Sequence, residues 1–253
     1  MSPQGMALME EGAVAAIQAE SERIGIDIKT GVSVKGVSQV DGKLRVSYEH
    51  DGKSQSVEAS CVVNGAGRIA NVETLDLDAG NVAHDRIAIK TDEFLRSVSN
   101  PSVWVCGDAL VTSPQLSPVA TYEGRIVGQN IVEGVSVTPD YSVLPSCVFT
   151  VPALASVGLS EAEARKRNLK VKVTVSDMTG WFSGKAYAES VAWAKVIVDE
   201  DSDQIIGAHM VGHNGEDLIH IFALAMRHKI SARALKADQF AFPTFSYDLK
   251  SLF

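Results

Sequence analysis

Residues 103–109, Val-Trp-Val-Cys-Gly-Asp-Ala, have the types and spacing to hold a polyhydroxylated ligand. They are followed by Leu116-Ser117-Pro118-Val119-Ala120 and by Glu123-Gly124-Arg125. An apolar run ends in Gly107-Asp108, and a loop then leads into a helix that starts around Ser117. A glycine at this point lets backbone come close to a ligand. The Asp108 carboxylate accepts hydrogen bonds from hydroxyls, and the helix N-terminus aims free N–H groups at electron-rich atoms. Taken alone, Gly-Asp after an apolar run reads equally as a strand-end turn.

In this order and spacing the segment resembles the second flavin-binding segment of the pyridine nucleotide–disulfide oxidoreductases, the family of glutathione reductase, lipoamide dehydrogenase and mercuric reductase. Three further blocks resemble the same family in the same order. Val62-Val63-Asn64-Gly65-Ala66-Gly67-Arg68 is similar to the strand and Gly-Arg turn that leave its nucleotide domain. Val148-Phe149-Thr150-Val151-Pro152 with Ala155–Glu161 is similar to the opening of its dimerisation domain. Ile206–Gly212 with Glu216–Ile219 is similar to a later strand and helix of that domain.

The resemblance implies an α/β fold: an incomplete two-dinucleotide-binding-domain (FAD/NAD(P)) architecture followed by an α+β dimerisation domain. The divisions expected are 1–70 for the C-terminal part of the NAD(P)-binding domain, 71–145 for the C-terminal segment of the FAD-binding domain, and 146–253 for dimerisation. It implies FAD and NAD(P)H as cofactors of a full-length parent, a homodimer, and a small-molecule electron acceptor. Asp108 would hold a ribityl hydroxyl of the flavin, with Gly107 beside it. Ser117 would present its backbone N–H to the pyrimidine ring, a role compatible with an ordinary N-cap serine. Gly67 would lie near the nicotinamide nucleotide, although a plain turn glycine looks the same. Gln115 and Leu116 would flank the flavin or the nicotinamide.

The departures are as informative. The family carries a Gly-x-Gly-x-x-Gly turn for each dinucleotide and a redox Cys-x4-Cys, and this sequence has neither. The chain is therefore expected to correspond to roughly the C-terminal half of a member, inactive by itself. At the C-terminus the family's His-Pro-Thr, with a glutamate three positions on, reads Phe242-Pro243-Thr244-Phe245-Ser246-Tyr247. Phe242 would sit beside the partner's flavin in the histidine's place. Phenylalanine transfers no proton, and a positioned acid/base contributes roughly 10²–10⁴ in rate. An ordinary His-dependent disulfide reductase is thus not expected, and no residue of this chain is assigned a catalytic role. The rival reading is a non-catalytic dimerising module that keeps the fold without the cofactor.

The 253 residues are 45% hydrophobic and 21% charged, with net charge −8. That composition supports more than one packed core. No basic block is present, which argues against nucleic acid, and no apolar run is long enough to span a membrane. Met1-Ser2-Pro3-Gln4-Gly5 lacks a charged and an apolar signal region, so a secretory signal is not expected from these residues. Cys61, Cys106 and Cys147 are far apart, which fits a reducing cytoplasm with buried thiols, Cys106 among them.

Patterning predicts a helix over 6–24, with Met6, Ala13, Val14 and Ile17 near helical spacing, and strands over 25–66. Asp41-Gly42 and Asp51-Gly52 sit between alternating apolar stretches and predict hairpins. A strand is expected around Ile87–Ile89, a buried strand at 102–106, and a helix over 117–132 with Pro118 in its first turn. Gly134–Pro145 reads as a linker. Beyond it, Ser160-Glu161-Ala162-Glu163 is a capping box. Strands are expected at 170–177, 191–198 and 204–210, with the acidic run 199–203 as a solvated hairpin tip. Residues 214–228 read as an amphipathic helix burying Leu218, Ile221, Phe222 and Ala225. Trp104, Trp181 and Trp193 read as core or interface residues. His209, His213 and His220 with Glu216 and Asp217 could suggest a metal, but the His209-x3-His213 pair spans a predicted strand end and a turn instead of one helix face, so no metal site is expected.

Overall fold

The computed structural model describes residues 9–85, 88–110 and 114–253. In chain order the elements are α1 (Glu11–Arg23), β1 (Ser33–Val40), β2 (Lys43–His50), β3 (Lys53–Ala59), α2 (Ser117–Glu133), β4 (Ser146–Val148), β5 (Ala153–Gly158), α3 (Glu161–Lys166), β6 (Val171–Asp177), α4 (Phe182–Tyr187), β7 (Trp193–Asp199), β8 (Gln204–Gly212), α5 (Gly215–Arg227), α6 (Ala232–Ala237) and α7 (Phe245–Asp248). They form two compact units, one of residues Met1–Ala66 with Cys147–Phe253 and one of Gly67–Ser146.

In the first unit, β1, β2 and β3 make an antiparallel meander. Both turns put two consecutive residues at positive φ, Asp41 and Gly42, then Asp51 and Gly52. That geometry matches strand twist and is what Asp-Gly supplies. Val37, Val46 and Val57 lie opposite one another across the strands, while Arg45 pairs with Glu58 from the other face. Residues 25–32 and 60–66 are not strand, which corrects the longer run expected. A strand is held by lateral partners, and among the described residues these two segments have none. Val62 and Val63 are apolar in sequence, yet Val63 stands exposed.

The rest of this unit is a five-stranded sheet of order β4-β5-β8-β7-β6 with antiparallel β5–β8, β8–β7 and β7–β6 pairs. The hairpin tip at 199–203 and the three expected strands are present. β5 was not foreseen, because Ala153–Val157 is buried throughout and its pattern does not alternate. α5 packs on β5 and β8. It buries Leu218, Ile219, Phe222, Ala223 and Ala225, whereas Ile221 is only half-buried. The buried stripe is thus turned toward Ile219 and Ala223, an i, i+4 pair. On the opposite face Leu154 and Val211 meet Ala13 and Ile17 of α1. Helix α1 begins later than expected, and Met6 lies outside the described residues. Gly12 rests on Trp193; a Cβ there would come 2.5 Å from the indole.

The second unit has little regular structure. Val82, Ile89, Leu95, Val105, Leu110 and Ile126 form its core. The strand expected at 102–106 reduces to one bridge, Arg96 with Trp104, flanked by Ser97 N–H to Val103 O and Val105 N–H to Leu95 O. Among the described residues it pairs along one edge only, too little to propagate a strand. Ile87 lies outside the described residues, and Ile89 makes single bridges with His84 and Leu110. α2 ends where Gly134 takes φ +95°. The segment expected as a linker is tied to α2: the Asn130 side chain bonds Ser136 N–H and both backbone groups of Val137, and Tyr122 OH accepts from Asp140 N–H. Buried polar groups on α2 need partners, and this segment supplies them.

Candidate cofactor site

Gly107 opens a single 3-10 turn, Gly107–Ala109, at φ +72°. A Cβ at this position would meet Ala120 Cβ at 3.1 Å, so both conformation and space require glycine. Its N–H donates to Glu123 Oε2 at 2.6 Å, and Tyr141 OH donates to Glu123 Oε1 at 2.6 Å. Glu123 is fully buried. The turn is therefore pinned from below by a carboxylate whose two oxygens are each engaged. Burial, then the hydrogen bond to Glu123, holds the Tyr141 phenol well above its ordinary range. Cys106, expected to be buried, is exposed; its backbone is extended, so it alternates with the buried Val105. Partial burial of the sulfur, with Glu123 nearby, still raises its thiol. Cys61 is also exposed and Cys147 half-buried, so the expectation of buried thiols is corrected for all three.

Asp108 follows the pinned turn with its carboxylate half-exposed. Arg68 Nη2 lies 2.9 Å from Asp108 Oδ2 and donates to Gln115 O at 3.3 Å. The structure thus brings the Gly67-Arg68 turn, Asp108 and Gln115 together, with Gly67 exposed at φ +103°. Leu116 is half-buried and extended, and it, not Ser117, occupies the N-cap position of α2. Ser117 is the first helical residue, and the Leu116 side chain at the N-cap makes no capping hydrogen bond. Pro118 within the first turn has no N–H to leave unpaired. Phe242 belongs to the other compact unit, and 61% of it is exposed. Its ring touches Phe182 and Tyr247, each at a centroid distance of 5.0 Å. Thr244 Oγ1 accepts from Tyr247 N–H, which sets the start of α7.

Glu123, Tyr141 and Arg68 were not expected from the sequence. A signal was available for the first. Val119, Glu123, Ile126 and Asn130 share the buried stripe of α2, and two polar residues in such a stripe announce buried hydrogen bonding. The three tryptophans are each half-buried, with Trp193 against α1. His209 engages both ring nitrogens, with Ser156 Oγ at 3.1 Å and Leu159 O at 3.0 Å. No cluster of three or more metal-binding side chains occurs among the described residues. No helix among them is long and apolar enough to cross a membrane.

Residues 2–124 match the pyridine nucleotide-disulphide oxidoreductase family, and residues 144–252 match that family's dimerisation domain. An "uncharacterized 19.7 kDa protein in mercuric resistance operon" of Staphylococcus aureus is 42% identical over 176 residues, 69% of this chain and 98% of that protein. Glutathione reductase of Burkholderia cepacia is 33% identical over 220 residues, 87% of this chain and 47% of that enzyme. Mercuric reductase of Staphylococcus aureus is 31% identical over 227 residues, 89% of this chain and 41% of that enzyme. The chain thus spans about half the length of these enzyme relatives. The fold matches a Cu(II) complex of the HOCl-induced flavoprotein disulfide reductase RclA from Escherichia coli, with a TM-score of 0.88 at 22% identity over 98% of this chain and 55% of that one. Profile, relatives and fold agree: the chain belongs to the pyridine nucleotide-disulphide oxidoreductase family, whose members depend on FAD and NAD(P)H.

Proposed function

We propose that this chain is the C-terminal part of an FAD-dependent NAD(P)H oxidoreductase that is not a standard His-dependent disulfide reductase. When bound, the flavin would take hydride from NAD(P)H and pass electrons to a small-molecule acceptor. The observation that carries the reading is the turn pinned by Glu123, which presents Asp108 near the start of α2, where the N-cap residue is a leucine that supplies no capping side chain. The residues present fit a flavin. Among the described residues Asp108 pairs with Arg68, in a solvent-exposed contact worth about 0–1 kcal/mol, so its carboxylate can still accept a ribityl hydroxyl. The Ser117 N–H and the dipole of α2 favour an electron-rich ring edge. Gly67, Gln115 and Leu116 stand around the same turn and would flank flavin or nicotinamide.

Phe242 takes the place at which the family carries a histidine. Its largely exposed ring would pack beside the flavin of a second copy and exclude water without moving a proton. We assign residues 1–70, 71–145 and 146–253 to the NAD(P), FAD and dimerisation domains of the parent, the last forming a homodimer. A cytoplasmic protein without nucleic-acid or membrane partners is the reading that composition supports. A second reading, a non-catalytic dimerising module, is favoured by the 19.7 kDa relative that matches this chain over 98% of its own length.

The decisive measurement is FAD retention and NADPH-dependent reduction of a quinone and of oxidised glutathione by the full-length parent. Flavin retention with quinone but little glutathione reduction is expected. Vigorous glutathione reduction with a bell-shaped pH profile would show that another residue does the histidine's work. The present chain, tested by itself, should retain little FAD, and stoichiometric yellow cofactor after gel filtration would overturn that. Light scattering should find it dimeric at micromolar concentration; a clean monomer would remove the dimerisation proposal.

A further inference from the structure

Two buried charges of the first compact unit meet at the head of α1. Glu10, the residue that precedes α1, is buried, and so is Lys195 on β7. Lys195 Nζ is 2.6 Å from Glu10 Oε1 and 2.9 Å from Glu161 Oε2. Glu10 Oε2 accepts from Glu161 N–H at 3.0 Å. One cation thus joins the start of α1 to the start of α3 across the sheet. His209 on β8, opposite Lys195 in the register, is buried beside them. The apolar part of the contact is Ala13 and Ile17 on Leu154 and Val211, bordered by half-buried side chains that include Met9, Ala16 and Val191, with Gly12 on the Trp193 ring. A hydrogen bond from Ser190 Oγ to Glu20 holds the far end of the helix.

We propose that Glu10, Lys195 and Glu161, with His209 beside them, form an acid-opened latch that holds α1 on the face of the dimerisation sheet not covered by α5. The charge count gives the direction. Near neutral pH the group holds two carboxylates, one ammonium and a neutral imidazole, flanked by Glu163 and by Arg165, which pairs with the other oxygen of Glu161. Proton uptake at either carboxylate removes one arm of the ion pairing to Lys195, and proton uptake at His209 places a second cation beside that ammonium.

The ionisation behaviour supports this sign. Burial alone would raise Glu10, but hydrogen bonds from Lys195 and from the Glu161 N–H, with the charges of Lys195 and His209, outweigh it and lower the carboxyl below its ordinary 4.5. Hydrogen bonds from Lys195 and Arg165 lower Glu161 as well. Burial lowers His209 below its ordinary 6.5. A lowered carboxyl contributes stability that is present above its unfolded value and lost as pH falls through the folded one. A lowered histidine is kept neutral by the fold, so its contribution also disappears in acid, beginning near 6.5. All three groups therefore act in the same direction. Lys195 is raised, and its contribution is lost only in strong alkali.

The test is hydrogen exchange of the full chain, read peptide by peptide at about pH 7.5 and about pH 4 and corrected for intrinsic exchange, with Trp193 fluorescence in parallel. Opening of 11–23 should increase roughly tenfold or more at the lower pH, as expected for about one unit of differential ionisation, while β5, β7 and β8 stay protected. Glu10→Gln should open the helix at neutral pH and flatten the response. Glu161→Gln should do the same more weakly, and provides the readout if Glu10→Gln does not fold. Loss of protection in α1 and the sheet together at every pH would overturn the latch. So would an unchanged pH response in the glutamine variants.

Discussion

Two buried glutamates of this chain serve different ends. Glu123, under the Gly107 turn, meets uncharged donors, a backbone N–H and a phenol. Glu10, at the head of α1, meets an ammonium that it shares with Glu161. The first arrangement joins positions 16 and 18 residues apart in sequence and shapes a backbone turn. The second joins elements 151 and 185 residues apart in sequence and shapes helix docking. A buried carboxylate with neutral donors carries its own charge but leaves no counter-ion stranded when removed. A buried ion triad does strand one, so substitution should cost more at the triad than under the turn.

The largest effect is expected at Lys195. Lys195→Met strands the buried Glu10 carboxylate beside a half-buried Glu161 that keeps Arg165, and should cost about 3–5 kcal/mol in denaturant unfolding. Combining it with Glu10→Gln and Glu161→Gln should recover much of the loss; if the triple variant is no better than the single, charge is not what the site depends on. Glu123→Ala orphans the Gly107 N–H and the Tyr141 hydroxyl and should cost roughly 2–3 kcal/mol. Glu123→Gln keeps an acceptor and should cost less, and equal losses for the two would sink the hydrogen-bond account.

Opposite pH limits separate the two centres further. Tyr141 is raised above its ordinary 10.0, so its contribution is present below that value and lost as pH rises beyond it. Glu10 is lowered below 4.5, so its contribution is present above that value and lost in acid. Thermal melts should show Tyr141→Phe flattening the alkaline limb and Glu10→Gln the acid limb. Gly107→Ala, forced to a positive φ and crowded by Ala120, should cost about 1–2 kcal/mol. The smallest stability effect belongs to Phe242→Ala. Because its ring is largely exposed in this chain, the loss should stay within about 1 kcal/mol, well short of a buried aromatic truncation. Weaker self-association in light scattering is the change expected there.

Local chemistry was legible where it closes over a few residues. The Asp-Gly turns set the meander's register, Ser160 and Glu163 make the capping box as read, and the Gly107-Asp108 turn lies just before the helix that the spacing placed there. These features depend on φ preferences and on bonds between near neighbours, so sequence alone determines them. Strands that depend on distant partners were read poorly. Val62-Val63 and 102–106 have the right side chains but lack the lateral pairing a strand requires, while β5 hid its identity because it is buried on both faces. Only the tertiary structure decided that Glu123 supports Gly107, that Arg68 bridges Asp108 and Gln115, and that Lys195 reaches Glu10. Each of these bonds joins positions whose proximity comes from packing, and no periodicity along the chain records which buried charge will find which partner.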